Sequence, residues 1–96
     1  MVINKHSRFQ SELQNILEYI AKDNLTAAKK FKKDLIKQIK VIPDFPYKYC
    51  PSKYVNDKQV RDMTFRGYTI VYRIGTNTID LITIFNQNLP LLDNEK

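Results

Sequence analysis

Between Val60 and Gly75 the sequence reads VRDMTFRGYTIVYRIG, and its arginines, Arg61, Arg66 and Arg73, are the residues best suited to act on a charged ligand. A guanidinium is permanently cationic and presents a planar fork of N–H donors. It can therefore hold a carboxylate or phosphate, or neutralise a phosphate in its transition state. Upstream, in YKYCPSKY, Tyr47, Tyr49 and Tyr54 interleave with Lys48 and Lys53. Such a loop can stack on bases and hold phosphates, or it can be pinned by its own aromatics against the sheet. Other chemistries lack residues. His6 and Cys50 are each the only one of their kind and far apart in sequence, so no zinc or iron ligand set can be assembled. Nothing orients a Cys50–His6 nucleophilic pair, and two glycines leave no phosphate-cradling loop. Neither a metal nor a cofactor is expected.

The elements that must position these residues follow from hydrophobic periodicity. Val2 and Ile3 begin a short strand of about four residues, by typical strand patterning. Ser7, with Gln10 three positions later, has the form of a capping box. In the helix that follows, Phe9, Leu13, Ile16, Leu17 and Ile20 share one face, while Arg8, Glu12, Asn15, Glu18 and Lys22 point away. Lys22 to Leu25 break the pattern. Thr26 then stands where a second helix can be capped, with Ala28, Phe31, Leu35, Ile39 and Ile42 as its apolar line. Two such helices joined by a short polar linker form an antiparallel hairpin.

Pro43, Pro46 and Pro51 stop the second helix and enforce an irregular connection. From Val60 the period becomes two. Arg61, Met63 and Phe65 share one side of a strand, and Val60, Asp62, Thr64 and Arg66 the other. Arg66-Gly67 makes a turn. Tyr68, Ile70, Tyr72 and Ile74 face inward on the next strand, with Thr69, Val71 and Arg73 outward. After a second turn at Gly75 to Asn77, Ile79 to Phe85 is apolar on both faces, which argues for a central strand. Strand, helix, helix and a three-stranded meander give an α+β fold, with the helical hairpin on one face of a small, mainly antiparallel sheet and the other face open. Arg61 then lies at the inner rim, bonded to a carbonyl or carboxylate or else functional. Arg66 and Arg73 project outward toward any ligand.

Ninety-six residues suffice for one domain, 1–96 with a core of about 2–90, but not for a second module. With 43% hydrophobic and 27% charged residues the chain is expected to fold as an ordinary soluble domain. No apolar stretch approaches the roughly 20 residues that span a bilayer. The N-terminal MVINKHSRFQ lacks the apolar run of a signal peptide, and a lone cysteine fits a reducing cytoplasm. The formal charge of +6 suggests an anionic partner: nucleic acid, a ribosome or an acidic protein segment. Lys29, Lys30, Lys32, Lys33, Lys37 and Lys40 on the second helix contribute much of that charge, though a lysine-rich helix face is also the ordinary way to solvate a helix.

The helix pair with its F…L..IL.YI…A…F…L…I line, the proline after it, and then VRDMTFRGYTIVYRI and IDLITIF resemble the RelE/ParE superfamily of type II toxins from toxin–antitoxin modules, over residues 2 to about 90. The resemblance implies one of two activities. RelE-like members are ribosome-dependent endoribonucleases that cut messenger RNA with basic and tyrosine side chains on the open sheet face. ParE-like members inhibit DNA gyrase. The RelE-like pattern places lysines on the outward positions of the first meander strand, where this chain has Val60, Asp62 and Thr64. It places an arginine after the first tyrosine of the next strand, where this chain has Thr69, and a cation past the last strand, where Phe85, Asn86, Gln87 and Asn88 stand. These departures favour a ParE-like growth inhibitor. A RelE-like nuclease, for which Arg61, Arg66 and Arg73 would be the candidate catalytic cations, is the alternative, and a non-toxic basic binding module the second. The resemblance further implies a cognate antitoxin whose acidic and apolar C-terminal segment wraps the toxin in a hetero-oligomer. Its expected contacts are Lys29, Lys33, Lys37 and Lys40 beside a helical groove, which speed encounter, and Arg66 and Arg73, which set specificity.

Overall fold

The structure, a computed structural model, describes residues 1–86, so the acidic tail after Pro90 lies outside the described residues. The chain runs β1 (Val2–Lys5), α1 (Ser7–Asp23), α2 (Leu25–Ile39), a 3-10 turn at Ile42–Asp44, β2 (Cys50–Pro51), β3 (Val60–Phe65), β4 (Tyr68–Ile74) and β5 (Thr78–Asn86). One sheet holds all five strands in the order β1-β5-β4-β3-β2, with β1 parallel to β5 and the other pairs antiparallel. The expected α+β order and the helical hairpin on one sheet face are both present.

Side-chain period explains the layers. Phe9 and Leu13 of α1 and Phe31, Leu35 and Ile39 of α2 meet Met63, Phe65, Ile70 and Tyr72 in one buried cluster. Phe31 sets its ring edge-on to both Phe65 and Tyr68, tying α2 to the β3–β4 hairpin. β5 lies inside the sheet between β1 and β4, as its apolar residues on both faces require, although the middle strand is β4. Its pairing with β4 shifts between Val71 and Tyr72, where Val71 faces Thr83 but Tyr72 faces Leu81, so Ile82 is an extra residue. This bulge lets Leu81 and Ile84, three apart, both enter the core that strict alternation would deny one of them. The β3–β4 turn is two residues long, and both have positive φ, 49° at Arg66 and 83° at Gly67. That geometry matches the twist of an antiparallel hairpin and is costless at glycine.

Several local expectations are corrected. Ser7 is the first residue of α1 rather than its cap. His6 holds the flanking position with no side-chain cap bond, because its N–H donates to Leu81 O and keeps the chain extended to that point. Gln10 instead donates its side-chain amide to Lys5 O at 3.2 Å. The helix linker is a single residue, Asn24, whose Oδ1 accepts the Ala27 N–H at 3.0 Å; Thr26 lies inside α2. α2 ends at Ile39 and Ile42 falls in the 3-10 turn, since Pro43 has no N–H to continue the helical ladder. Ile42 is buried all the same. The connection contains a strand, β2, too short and too proline-marked to register as one. Phe85 and Asn86 belong to β5 rather than lying past it.

Candidate functional site

The sheet face away from the helices is not open. Ser52 N donates to Val60 O, Lys53 N donates to Asp62 Oδ2 at 3.0 Å, and Tyr54 packs edge-on against Phe85 of β5. Because β3 and β4 lie between β2 and β5, the residues after β2 must cross that face to make the last contact. Val60, Thr69 and Val71, all on this side, are buried.

The arginines divide accordingly. Arg61 donates from Nη1 to Tyr49 O at 3.0 Å and from Nε to Lys58 O at 3.1 Å, and it lies over the Tyr47 ring. It fastens both ends of the loop it adjoins, which is the rim role open to it in the sequence. Arg66 does not project outward. The left-handed turn swings it to the helix side, where Nη2 pairs with Asp34 of α2 at 2.5 Å and the guanidinium rests on Phe65. Lys30 joins the same carboxylate at 3.2 Å, and these two hydrogen bonds hold the Asp34 carboxyl below the ordinary aspartate range. Arg73 is exposed and outward, as expected. The three arginines therefore do not converge on one site.

Beneath the crossing loop is a pocket of about 510 Å³, with Asp62, Thr64 and Thr69 as its floor and Lys48, Lys53 and Tyr54 among its walls. No arginine or histidine lines it. One oxygen of its floor carboxylate, Asp62 Oδ1, is shut from solvent without a hydrogen-bond partner. A phosphate here would meet two lysines but also a carboxylate, with no guanidinium for the transition state and no imidazole to trade a proton near pH 7. Gln87 and Asn88, also expected near this region, lie outside the described residues. Tyr49 and Tyr54 are engaged with Tyr72 and Phe85, so loop pinning accounts for both.

On the helical side, a groove between α1 and α2 is lined by Leu17, Ala21, Leu25 and Ala28 with Lys29 and Lys32. Of the four lysines expected beside it only Lys29 lines it; Lys33 and Lys37 are exposed elsewhere on α2, and Lys40 is exposed just past its end. A second groove of about 450 Å³ runs between α1 and the end of β5, with Ile16, Tyr19, Tyr68, Ile84 and Phe85 as an apolar lining. Its existence follows from strand lengths, because β1 pairs with β5 only as far as Leu81. Glu12 covers part of the edge left bare. Its Oε1 accepts from Thr83 Oγ1 at 2.5 Å and from Ile84 N at 3.2 Å. The helical period placed Glu12 on the solvent side, and nothing in a one-dimensional pattern signals that the helix crosses an unpaired strand edge.

Residues 3–88 match the family described as ParE toxin of type II toxin-antitoxin system, parDE. The chain belongs to the ParE toxin family. No curated protein matches it in sequence. Among solved structures it is similar to a chain of the chromosomal ParDE toxin–antitoxin system from P. aeruginosa, at 17% identity and a TM-score of 0.72, covering 90% of this chain and 95% of that one. The likeness extends the fold across nearly the whole ParE-family domain. This chain is thus a ParE-like toxin component, with an antitoxin as its partner. None of its helices, among the described residues, is long and apolar enough to cross a membrane, and no cluster of described residues could hold a metal ion.

Proposed function

We propose that the chain arrests growth by acting on DNA gyrase in the cytoplasm and that its antitoxin neutralises it. The observation that carries this reading is the pairing of a ParE family match over residues 3–88 with a sheet-face pocket that has two lysines but no arginine or histidine in its lining. The partner surface is in keeping with it. A chain of formal charge +6 with two exposed grooves bordered by apolar side chains suits a polypeptide carrying acidic and apolar residues. Lys29, Arg66, Arg73 and, through long-range attraction, Lys33, Lys37 and Lys40 are the basic residues we assign to that encounter.

The alternative, ribosome-dependent cleavage of messenger RNA, draws on Lys48 and Lys53 at the sheet-face pocket. A non-toxic binding module shares the same charge. Induced expression without the antitoxin, followed in parallel by plasmid supercoiling and by mapping of messenger 5′ ends, separates the three. Gyrase inhibition gives arrest with loss of negative supercoiling and intact messengers. New messenger ends within translating ribosomes would select the nuclease, and normal growth with accumulated folded protein would select the module.

A further inference from the structure

We propose that the concavity beside Arg73 is a receptor for a single carboxylate, supplied by an aspartate or glutamate of the antitoxin; the identity of that donor rests on the functional reading above. The concavity, about 330 Å³, is lined by Tyr47, Gln59, Arg73, Ile74, Gly75 and Thr76. Arg73 faces Val60 and Asp80 across the sheet, and Asp80 is the carboxylate positioned to neutralise it. Asp80 Oδ1 instead accepts a hydrogen bond from Asn4 Nδ2 at 3.0 Å, and Arg73 forms no ion pair with any described residue. An exposed guanidinium that lacks the available intramolecular partner keeps its full set of donors for a ligand.

The surroundings are built for an acceptor. Tyr47 donates its hydroxyl to Gln59 Oε1 at 2.7 Å, which turns the Gln59 amide so that its NH2 end is left to donate. Tyr47 is itself held by Arg61, 4.9 Å from its ring, and Gln59 is anchored by its carbonyl, which accepts from Ile74 N at 2.8 Å. The Gln59 amide is therefore oriented before a ligand arrives, which lowers the entropy lost when it binds. The Thr76 hydroxyl completes the set. Gly75 keeps the rim low, and a Cβ there would overlap Thr78 Oγ1. No carboxylate lines the concavity. One cation with neutral donors matches the single charge of a carboxylate, which Arg73 can grip through two parallel N–H bonds, better than the higher charge of a phosphate monoester.

Two measurements decide the matter. In protein labelled with 15N, the Arg73 Nε–H and Gln59 side-chain amide resonances are followed during separate titrations with acetate and with inorganic phosphate. Saturable movement of both by acetate is expected, with the movement of Arg73 weakened in Gln59→Leu. Movement by phosphate at tenfold lower concentration would make this a phosphate site, and no movement by acetate would leave no site; either overturns the proposal. In the intact toxin–antitoxin complex, Arg73→Ala should weaken binding about tenfold, a contact of roughly 1.4 kcal/mol. Arg73→Lys, which keeps the charge without the fork, should recover only part of that loss. One acidic antitoxin residue changed to its amide should add nothing to Arg73→Ala, because the two remove the same contact. If every acidic residue adds its full effect, the carboxylate goes elsewhere. If the protein binds no antitoxin, the functional reading fails and the assignment of the donor with it, whereas the acetate titration still reports on the concavity by itself.

Discussion

Tyr72 shows how far one side chain reaches in this molecule. Fully buried under the helices, it donates its hydroxyl to Pro46 O at 2.7 Å and sets its ring edge-on to Tyr49, so a core strand residue anchors the proline-rich connection. Tyr72→Phe removes the donor and leaves the Pro46 carbonyl short of a partner, at a cost of about 1 kcal/mol measurable by urea unfolding. Burial pushes the Tyr72 phenol up to about 12. A group whose ionisation is harder when folded contributes fully below its unfolded value near 10 and loses that contribution as pH rises toward 12. Stability should therefore fall across that alkaline window, and less so in Tyr72→Phe. Asp34 has the opposite sign. Arg66 and Lys30 lower its pKa, so its contribution is present above the ordinary aspartate value of 3.8 and is lost as pH falls below it. Arg66→Ala should flatten the acid limb of the stability profile. The core role of Tyr72 was legible from its place in an alternating strand; its bond to Pro46 was not, because the connection carries no period. Arg66 was misplaced for a related reason. Alternation assigns a face only to residues with extended backbone, and Arg66 has φ 49°.

Among the elements, those with a strong period were read correctly, as were the turns at Arg66-Gly67 and Gly75 to Asn77, while the helix caps and the proline-rich connection were not. α1, α2 and β3 to β5 follow from apolar spacing, since each must bury one face or both. The caps were misassigned because Ser7 and Thr26 are good capping residues by type, whereas the tertiary contact of His6 with Leu81 and the one-residue linker decide where each helix begins. Asn24 serves both helices, receiving the end of α1 and capping α2. Asn24→Ala should cost about 1 kcal/mol, with fraying at the first turn of α2 seen as faster amide exchange at Ala27. Glu12 holds the edge of β5 that β1 leaves uncovered. Glu12→Ala frees the Ile84 amide and the Thr83 hydroxyl, so the exchange of the Ile84 amide should accelerate while β5 amides paired with β4 stay protected. Glu12→Gln keeps an acceptor and should retain most of that protection. The β5-side groove was invisible in the sequence, as it arises from a difference in strand length.

For the whole molecule, charge and shape point the same way. If, as proposed, the positive surface draws an acidic polypeptide and the apolar grooves retain it, affinity for the antitoxin should fall as salt rises without vanishing. Loss of all salt dependence would place the interface away from the basic residues assigned to it. That Thr69 stands where the resemblance expects an arginine was legible in the sequence, and the structure places Thr69 in the sheet-face pocket. The covering of the sheet face was not legible, because it depends on a loop crossing two strands to reach Phe85. The covered face and a pocket floored by Asp62 support the proposed action on a protein target over cleavage of RNA. The most direct test is supercoiling of relaxed plasmid by purified DNA gyrase in the presence of the purified chain. Supercoiling should be lost as the chain is added in stoichiometric excess and restored by the antitoxin. Full supercoiling at concentrations that arrest growing cells would contradict it.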